Sequence, residues 1–173
     1  AIYVWGAAAA AGGRVRLRIE DHDRGRCRPA FEAGVLEDLD WLGFTADSGR
    51  HPVDRQSDHQ ARYAAAADAL RRGGFTYGCV CSRREIGGEH YPGTCRTRGI
   101  AEGPGVGTRL RLPRTVEHFD DLRLGPQADA ADRYGDVLIK DRAGDWTYQF
   151  AVTVDDLADG IDLIVRGEDL LSS

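Results

Sequence analysis

Hydrophobic positions change period several times along the chain, and each change marks an element. Arg14 to Glu20 alternates: Val15, Leu17 and Ile19 fall on one side, Arg14, Arg16, Arg18 and Glu20 on the other. A period of two predicts a strand. Glu20 stands at its C-terminal end, beyond which open α/β sheets bind ligands. Before it, Ile2 to Ala11 is apolar and Ala-rich and meets Gly12-Gly13, the pattern of a buried helix with a glycine stop. After it, Phe31, Val35, Leu39 and Leu42 recur at helical spacing behind Pro29, which suits a first turn, and Gly43 ends that helix. Ser57 to Gln60 has the form of a capping box. Tyr63, Ala66, Ala67 and Leu70 carry a second helix to Gly73-Gly74.

The second half reads mostly as short strands. Phe75 to Val80 is one, and Thr108 to Leu112 is another, ended by Pro113. Between them, Ser82 and Glu85 form a second capping box that opens a short helix. Gly99 to Gly107 is a Gly-rich turn, Val116 to Leu124 is short and amphipathic, and Gln127 to Tyr134 is polar and expected on the surface. Val137 to Lys140, a turn at Asp141 to Gly144, and Trp146 to Tyr148 read as a hairpin. Tyr148 to Asp156 is ambiguous: its Val and Thr content favours strand, while Tyr148, Val152 and Asp155 fit a helix. Ile161 to Val165 is β-branched and apolar, the pattern of a core strand, with Arg166-Gly167 at its end.

Composition narrows the class. A chain of 173 residues, 42% hydrophobic and 29% charged, has room for one good core or two small ones and reads as soluble and globular. No apolar run reaches the length of about 18 residues that suggests a membrane span, and Ala1 to Ala11 lacks the basic start of a signal peptide. The chain has no methionine, so it is not expected to begin at a natural start. A net charge of −5 gives no global attraction to nucleic acid. Arg83, Arg84, Arg96, Arg98, Arg109, Arg111 and Arg114 nevertheless crowd one segment, either as a solvated surface or as RNA-backbone contacts.

That segment also holds three of the four cysteines. Cys79 and Cys81 are one residue apart, and Cys95 returns after a Gly-rich turn. Clustered thiols without an export signal fit a reducing compartment and a metal better than a disulfide framework. Thiolates are preferred zinc ligands, and a structural site takes four donors in a tetrahedron. His90, Tyr91 and Glu89 are the local candidates for the fourth corner. Coordination chemistry alone favours His90. The alternatives are buried apolar thiols or a disulfide. Cys27 stands apart and reads as structural.

Glu20 and Arg166 occupy equivalent places at the ends of predicted strands. A carboxylate and a guanidinium there suit the amine and the carboxylate of an amino acid, since an Arg fork pairs bidentately with a carboxylate. Tyr148 could add a hydroxyl. The alternative is that Glu20 and Arg166 pair with each other or with surface partners. No Walker loop, GxGxxG, GxSxG or HExxH is present, which counts against P-loop, dinucleotide, serine-hydrolase and zinc-protease chemistry. No catalytic residue is identifiable.

Six stretches carry a resemblance. They are Leu17-Arg18-Ile19-Glu20-Asp21 with Asp23-Arg24; Arg55-Gln56-Ser57; Cys79-Val80-Cys81-Ser82-Arg83-Arg84-Glu85-Ile86; Tyr91-Pro92-Gly93-Thr94-Cys95-Arg96; Tyr148-Gln149-Phe150-Ala151-Val152-Thr153-Val154-Asp155-Asp156; and Val165-Arg166-Gly167-Glu168-Asp169-Leu170-Leu171. In this order, over nearly the whole chain, they resemble the glutamyl-queuosine tRNA(Asp) synthetases, bacterial paralogues of the glutamyl-tRNA synthetase catalytic domain.

The resemblance implies an α/β fold: a class I synthetase Rossmann-like core, over 1–74 and 136–173, with an inserted zinc-binding acceptor-type subdomain over 75–135. It implies ATP-dependent activation of glutamate, with magnesium, and transfer to the queuosine base of tRNA(Asp), by a monomer in the bacterial cytoplasm. By position, Glu20, Tyr148 and Arg166 match the glutamate-binding residues. Cys79, Cys81, Tyr91 and Cys95 match the zinc ligands, so Tyr91 displaces His90. It also turns Tyr148 to Asp156 toward helix. The family's HIGH-type motif is expected before Ala1 and its KMSK-type loop after Ser173, and the stretch from Ile86 to Tyr91 is shorter than usual. The 173 residues alone are therefore expected to make no adenylate. Two rival readings are an ordinary glutamyl-tRNA synthetase fragment and a zinc-stabilised RNA-binding module without catalysis.

Overall fold

The computed structural model describes residues 1–21 and 27–168. Asp23-Arg24 and Asp169 to Leu171, parts of the motifs above, lie outside the described residues. The chain divides into two compact units, one formed by residues 1–60 and 152–173, the other by 61–151.

The first unit opens with helix α1, Ile2–Ala11, stopped by Gly12 in the left-handed conformation at φ 64°. The helix forms where its pattern predicts, but none of its residues is buried. It is held instead by Trp5, whose indole N–H donates to the Thr45 carbonyl at 2.9 Å and whose ring lies 5.0 Å from that of Phe44. Helix α2, Pro29–Trp41, starts on proline as expected, and Leu39 is its buried contact.

The predicted strand at Arg14 to Glu20 is extended but forms no ladder. It makes isolated parallel bridges, Arg16 to Ser48 and Ile19 to Arg55. Its partner is the loop 47–55, which turns through Gly49 at φ 81°, so matched pairing cannot run on. Gly49 has no substitute there, because a Cβ would lie 1.8 Å from the Leu17 carbonyl oxygen. The Ser57 capping box does not form. Gln56–His59 is a 3-10 turn without a side-chain cap, and the Ser57 N–H donates to Asp21 at 2.8 Å. Ile161 to Val165 is not a strand either. Leu163, Ile164 and Val165 are at the exposed end of the range, and no described segment pairs with them.

The second unit is built around a three-stranded antiparallel sheet and a separate two-stranded ribbon. Helix α3, Gln60–Arg72, buries Tyr63 and Ala67, one turn apart. Strands β1, Thr76–Cys79, β2, Gly107–Leu110, and β5, Val137–Lys140, form an antiparallel sheet in the order β1-β2-β5. Cys79 faces Gly107, and Thr108 faces Lys140. Helix α4, Arg83–Ile86, carries the predicted capping box in full, Ser82 and Glu85 each accepting the other's backbone N–H. Val116 to Ala130, not predicted as paired strands, forms a separate ribbon of β3, Val116–Asp121, and β4, Gly125–Ala130.

The expected hairpin after β5 is partly formed. Trp146 bridges Lys140, and Asp141 Oδ1 accepts the N–H groups of Ala143, Gly144 and Asp145 at 2.9 Å. Tyr148 instead begins helix α5, Tyr148–Asp159, which settles the ambiguous stretch as helix. Within the second unit Trp146 packs against Tyr63 and Phe150, at 6.3 and 5.3 Å between ring centres.

Candidate metal centre

A short run of sequence brings three sulfurs and one phenol together. β1 delivers Cys79 at its end, and the chain leaves through Cys81 into α4. Gly87, left-handed at φ 72°, ends α4 and lets the chain double back. The return is anchored at Tyr91, whose N–H donates to the Tyr134 carbonyl at 2.8 Å. Gly135 presses on the same residue: it sits at φ 78°, and a Cβ there would lie 2.1 Å from the Tyr91 carbonyl oxygen. Tyr77, Cys79, Tyr91 and Cys95 form one buried cluster, covered by Cys81, Ile86 and Ile100.

The three sulfurs lie within 4.8 Å of one another. Cys81 Sγ is 3.6 Å from Cys95 Sγ, and Cys79 Sγ is 3.5 Å from Tyr91 Oη. The Cys95 N–H donates to Tyr91 Oη at 2.8 Å, which aims the phenol oxygen at the sulfurs. Zn–S bonds of about 2.3 Å in a tetrahedron set sulfurs about 3.8 Å apart, and a sulfur and an oxygen ligand about 3.6 Å apart. The donor set fits such an ion. His90 does not join it: it is exposed, and its Nδ1 lies 3.0 Å from the Arg133 carbonyl. Glu89 is also exposed. The four cysteines are free thiols, so the disulfide alternative fails, and Cys27, exposed, places its thiol 3.7 Å from the Glu20 carbonyl.

Crowding spreads the acidities of these groups. Burial, then the Cys95 and Cys79 neighbours, pushes the Cys81 thiol up to about 11. Burial also opposes the Cys95 thiolate, but donation from the Val80 backbone and the surrounding Cys81, Tyr91 and Cys79 groups outweighs it and brings Cys95 down to about 7. Burial, then Cys79, raises the Tyr91 phenol. A cation seated among them would favour the deprotonated forms of all four.

A second tier holds the cluster in place. Asp136 is 3% exposed. It accepts from Tyr77 Oη at 2.6 Å and the Leu112 N–H at 3.0 Å, and pairs with Arg96 at 3.2 Å. Arg109 is 6% exposed. Its Nε donates to Cys79 Sγ at 3.3 Å, its Nη1 to the Asp136 carbonyl at 2.6 Å, and its guanidinium lies 3.6 Å from the Tyr91 ring centre. Sequence reasoning counted Arg109 only among surface arginines. Alternation with Leu110 and Leu112 predicts the outward face for Arg109, and its burial follows from its place opposite Tyr77 in the β1–β2 ladder, a pairing that the sequence does not reveal.

The residues matched to glutamate binding are distributed over both units. Glu20 ends the extended stretch of the first unit, with its carboxylate 3.7 Å from Arg18. Arg166 is exposed in the chain that follows α5. Tyr148 belongs to the second unit, half-buried in the first turn of α5. Near Glu20 the first unit holds an ionic cluster that the sequence did not single out as a site. Asp155, 0% exposed, meets Gln56 at 3.2 Å, His59 Nδ1 at 2.9 Å and Arg18 at 3.6 Å. Burial works against the Arg18 charge, but Asp156 at 2.8 Å and the neighbouring carboxylates outweigh it and raise its pKa.

The profile of the tRNA synthetases class I (E and Q) catalytic domain matches residues 1–173. The chain belongs to this family. Among curated relatives of this class I synthetase chain, the glutamyl-Q tRNA(Asp) synthetase of Nitratidesulfovibrio vulgaris is 40% identical over 97% of it and 59% of the relative. The glutamate–tRNA ligase of Frankia alni is 38% identical over 100% of the chain and 38% of the relative. The chain thus spans little more than half of the first relative and less of the second. A glutamate tRNA ligase from Elizabethkingia meningosepticum, solved in complex with its amino acid, shares the fold with a TM-score of 0.77 over 93% of this chain and 38% of its own, at 24% identity. The expected class I synthetase fold is therefore the fold of this chain.

Proposed function

We propose that the protein carrying this chain activates glutamate with ATP and transfers the glutamyl group to the queuosine base of tRNA(Asp). The observation that carries the reading is the convergence of buried Cys79, Tyr91 and Cys95 with half-buried Cys81, the set that the resemblance assigns to zinc, on a chain of the class I (E and Q) family. The convergence of a phenol oxygen with three sulfurs is specific, because phenol is an unusual zinc donor. Zinc there closes the returning loop and supplies no reaction step. It ties down residues that bury few apolar side chains of their own.

In the same reading Glu20 receives the amine of glutamate, Arg166 its carboxylate and Tyr148 adds a hydroxyl. Residues 75–135 act as the inserted acceptor-type subdomain within a core of 1–74 and 136–173. The protein works as a monomer in the bacterial cytoplasm with ATP and magnesium. Among the described residues no helix is long and apolar enough to cross a membrane.

The deciding experiment charges tRNA(Asp) with labelled glutamate using the full-length protein. The tRNA is supplied with and without its 3′-terminal adenosine, and with and without queuosine. Label that is kept when the terminal adenosine is removed and that requires queuosine supports the reading. Label confined to the 3′ end replaces it with ordinary glutamyl-tRNA synthesis. No transfer of glutamate to either position leaves the zinc-stabilised RNA-binding module.

A further inference from the structure

Arg109 presents an electrostatic problem that the thiol cluster solves. A guanidinium is charged at every accessible pH, and a buried charge is costly unless an opposite charge meets it. Arg109 is 6% exposed, and among the described residues it forms no ion pair with a carboxylate. Asp136 offers it a backbone carbonyl at 2.6 Å, while the Asp136 carboxylate serves Tyr77, Leu112 and Arg96. What remains against the cation is Cys79 Sγ at 3.3 Å and the face of Tyr91 at 3.6 Å. One guanidinium therefore touches two of the four donors, one by hydrogen bond and one by cation–π contact. Arg98 approaches a third, Cys95 Sγ, at 3.8 Å, but from an exposed position.

Three thiolates and a phenolate around a divalent cation make a formally dianionic centre, whereas an imidazole in place of the phenolate leaves one negative charge fewer. We propose that Arg109 is the built-in countercharge of this centre, the positioning residue that lets the all-anionic set of Cys79, Cys81, Tyr91 and Cys95 hold its metal. The inference rests on the zinc reading above. It adds that Arg109 and Tyr91 work as a pair: the buried cation makes a charged oxygen, rather than a neutral nitrogen, the suitable fourth ligand. Arg109 takes no part in the synthetase chemistry itself.

The test is a double-mutant cycle read by metal affinity. Full-length protein, Arg109→Met, Tyr91→His and the double variant are titrated with zinc against a chromophoric chelator, with bound zinc counted by elemental analysis. Wild type is expected to hold one zinc; if it holds none, the zinc reading fails and this inference with it. Arg109→Met is expected to weaken zinc binding by about 10- to 100-fold, the usual effect of losing a partner of a metal ligand. In the Tyr91→His background the same change is expected to weaken it by less than about threefold, because the imidazole centre carries less charge to balance.

Arg109→Lys, which keeps the charge, is expected to recover at least half of the lost logarithm of affinity. If Arg109→Met yields no soluble protein, Arg109→Gln, which keeps hydrogen-bond donors but not the charge, takes its place under the same thresholds. Zinc bound by wild type, together with unchanged affinity in the uncharged variants, equal losses in both backgrounds or no recovery by Lys, would overturn the role given to Arg109.

Discussion

The two units solve the problem of buried polarity in opposite ways. The first neutralises its charges pairwise: Asp155 lies among Gln56, His59 and Arg18, and Arg18 reaches three further carboxylates, Glu20, Asp156 and Asp159. The second gathers groups that are anionic only after losing protons and sets a permanent cation, Arg109, against them. The first sets side chains of opposite charge against one another. The second offers a donor set that, in the reading proposed above, takes up a metal. Stability of the two regions should therefore respond to different reagents.

The largest effect separates them directly. Removing the metal with a chelator, or replacing Cys95 by Ser, should lower the unfolding temperature by about 10 °C or more, since structural zinc contributes many kcal/mol. Amide hydrogen exchange should speed up across β1 and β2 while α2 keeps its protection. Equal loss of protection in both would break the comparison. Next, Asp155→Ala strands part of the Arg18 charge and removes the acceptor of Gln56 and His59. A cost of about 3 kcal/mol in urea unfolding is expected, with zinc stoichiometry unchanged.

Gly135→Ala should act on the second unit alone. The new Cβ meets the Tyr91 carbonyl in a left-handed backbone, and a loss of about 2 kcal/mol together with weaker zinc binding is expected. The smallest effect concerns Glu102, which accepts from Arg71 at 2.8 Å, Thr76 at 2.6 Å and Thr108 at 3.1 Å. Burial opposes its charge, yet Arg71 and the two threonines outweigh that and hold its pKa below the ordinary carboxylate value. A depressed carboxylate stabilises the fold above the unfolded-state pKa of about 4.3, and the contribution fades as pH falls through the lower folded value. Glu102→Gln should thus cost about 1 kcal/mol at pH 7 and the difference should vanish in more acidic solution, as followed by urea unfolding at several pH values.

The same contrast explains what was legible in the sequence. In the second unit β1, β2 and β5 lie close to their predicted spans because each meets another strand in an antiparallel ladder, and the Ser82–Glu85 box is intact because it depends on neighbours near in sequence. In the first unit, alternation at Arg14 to Glu20 gave the extended backbone but not its pairing, which depends on an irregular loop some thirty residues away. Ile161 to Val165 shows the same limit: a β-branched run makes a strand only where another strand meets it. The β3–β4 ribbon escaped notice because Asp, Gln and Ala weaken its alternation. Its turn rests on Asp121, whose Oδ1 accepts the N–H groups of Arg123 and Leu124 at 2.8 and 2.7 Å. At the site, cysteine spacing identified the three sulfurs, and local coordination preference pointed to His90. The structure instead turns the neighbouring Tyr91 inward, because the backbone contact with Tyr134 fixes which of two adjacent side chains faces the core.

The ribbon is joined to the chain at a narrow neck, where the Ala131 N–H donates to the Thr115 carbonyl at 2.9 Å. Everything from Val116 to Ala130 departs and comes back through that single closure. A protein so constructed can lengthen, trim or exchange the finger between those two residues without re-threading the sheet beside the thiols. The neck is thus a natural graft point, where new sequence can be offered to solvent while the cysteine fold below keeps its own register.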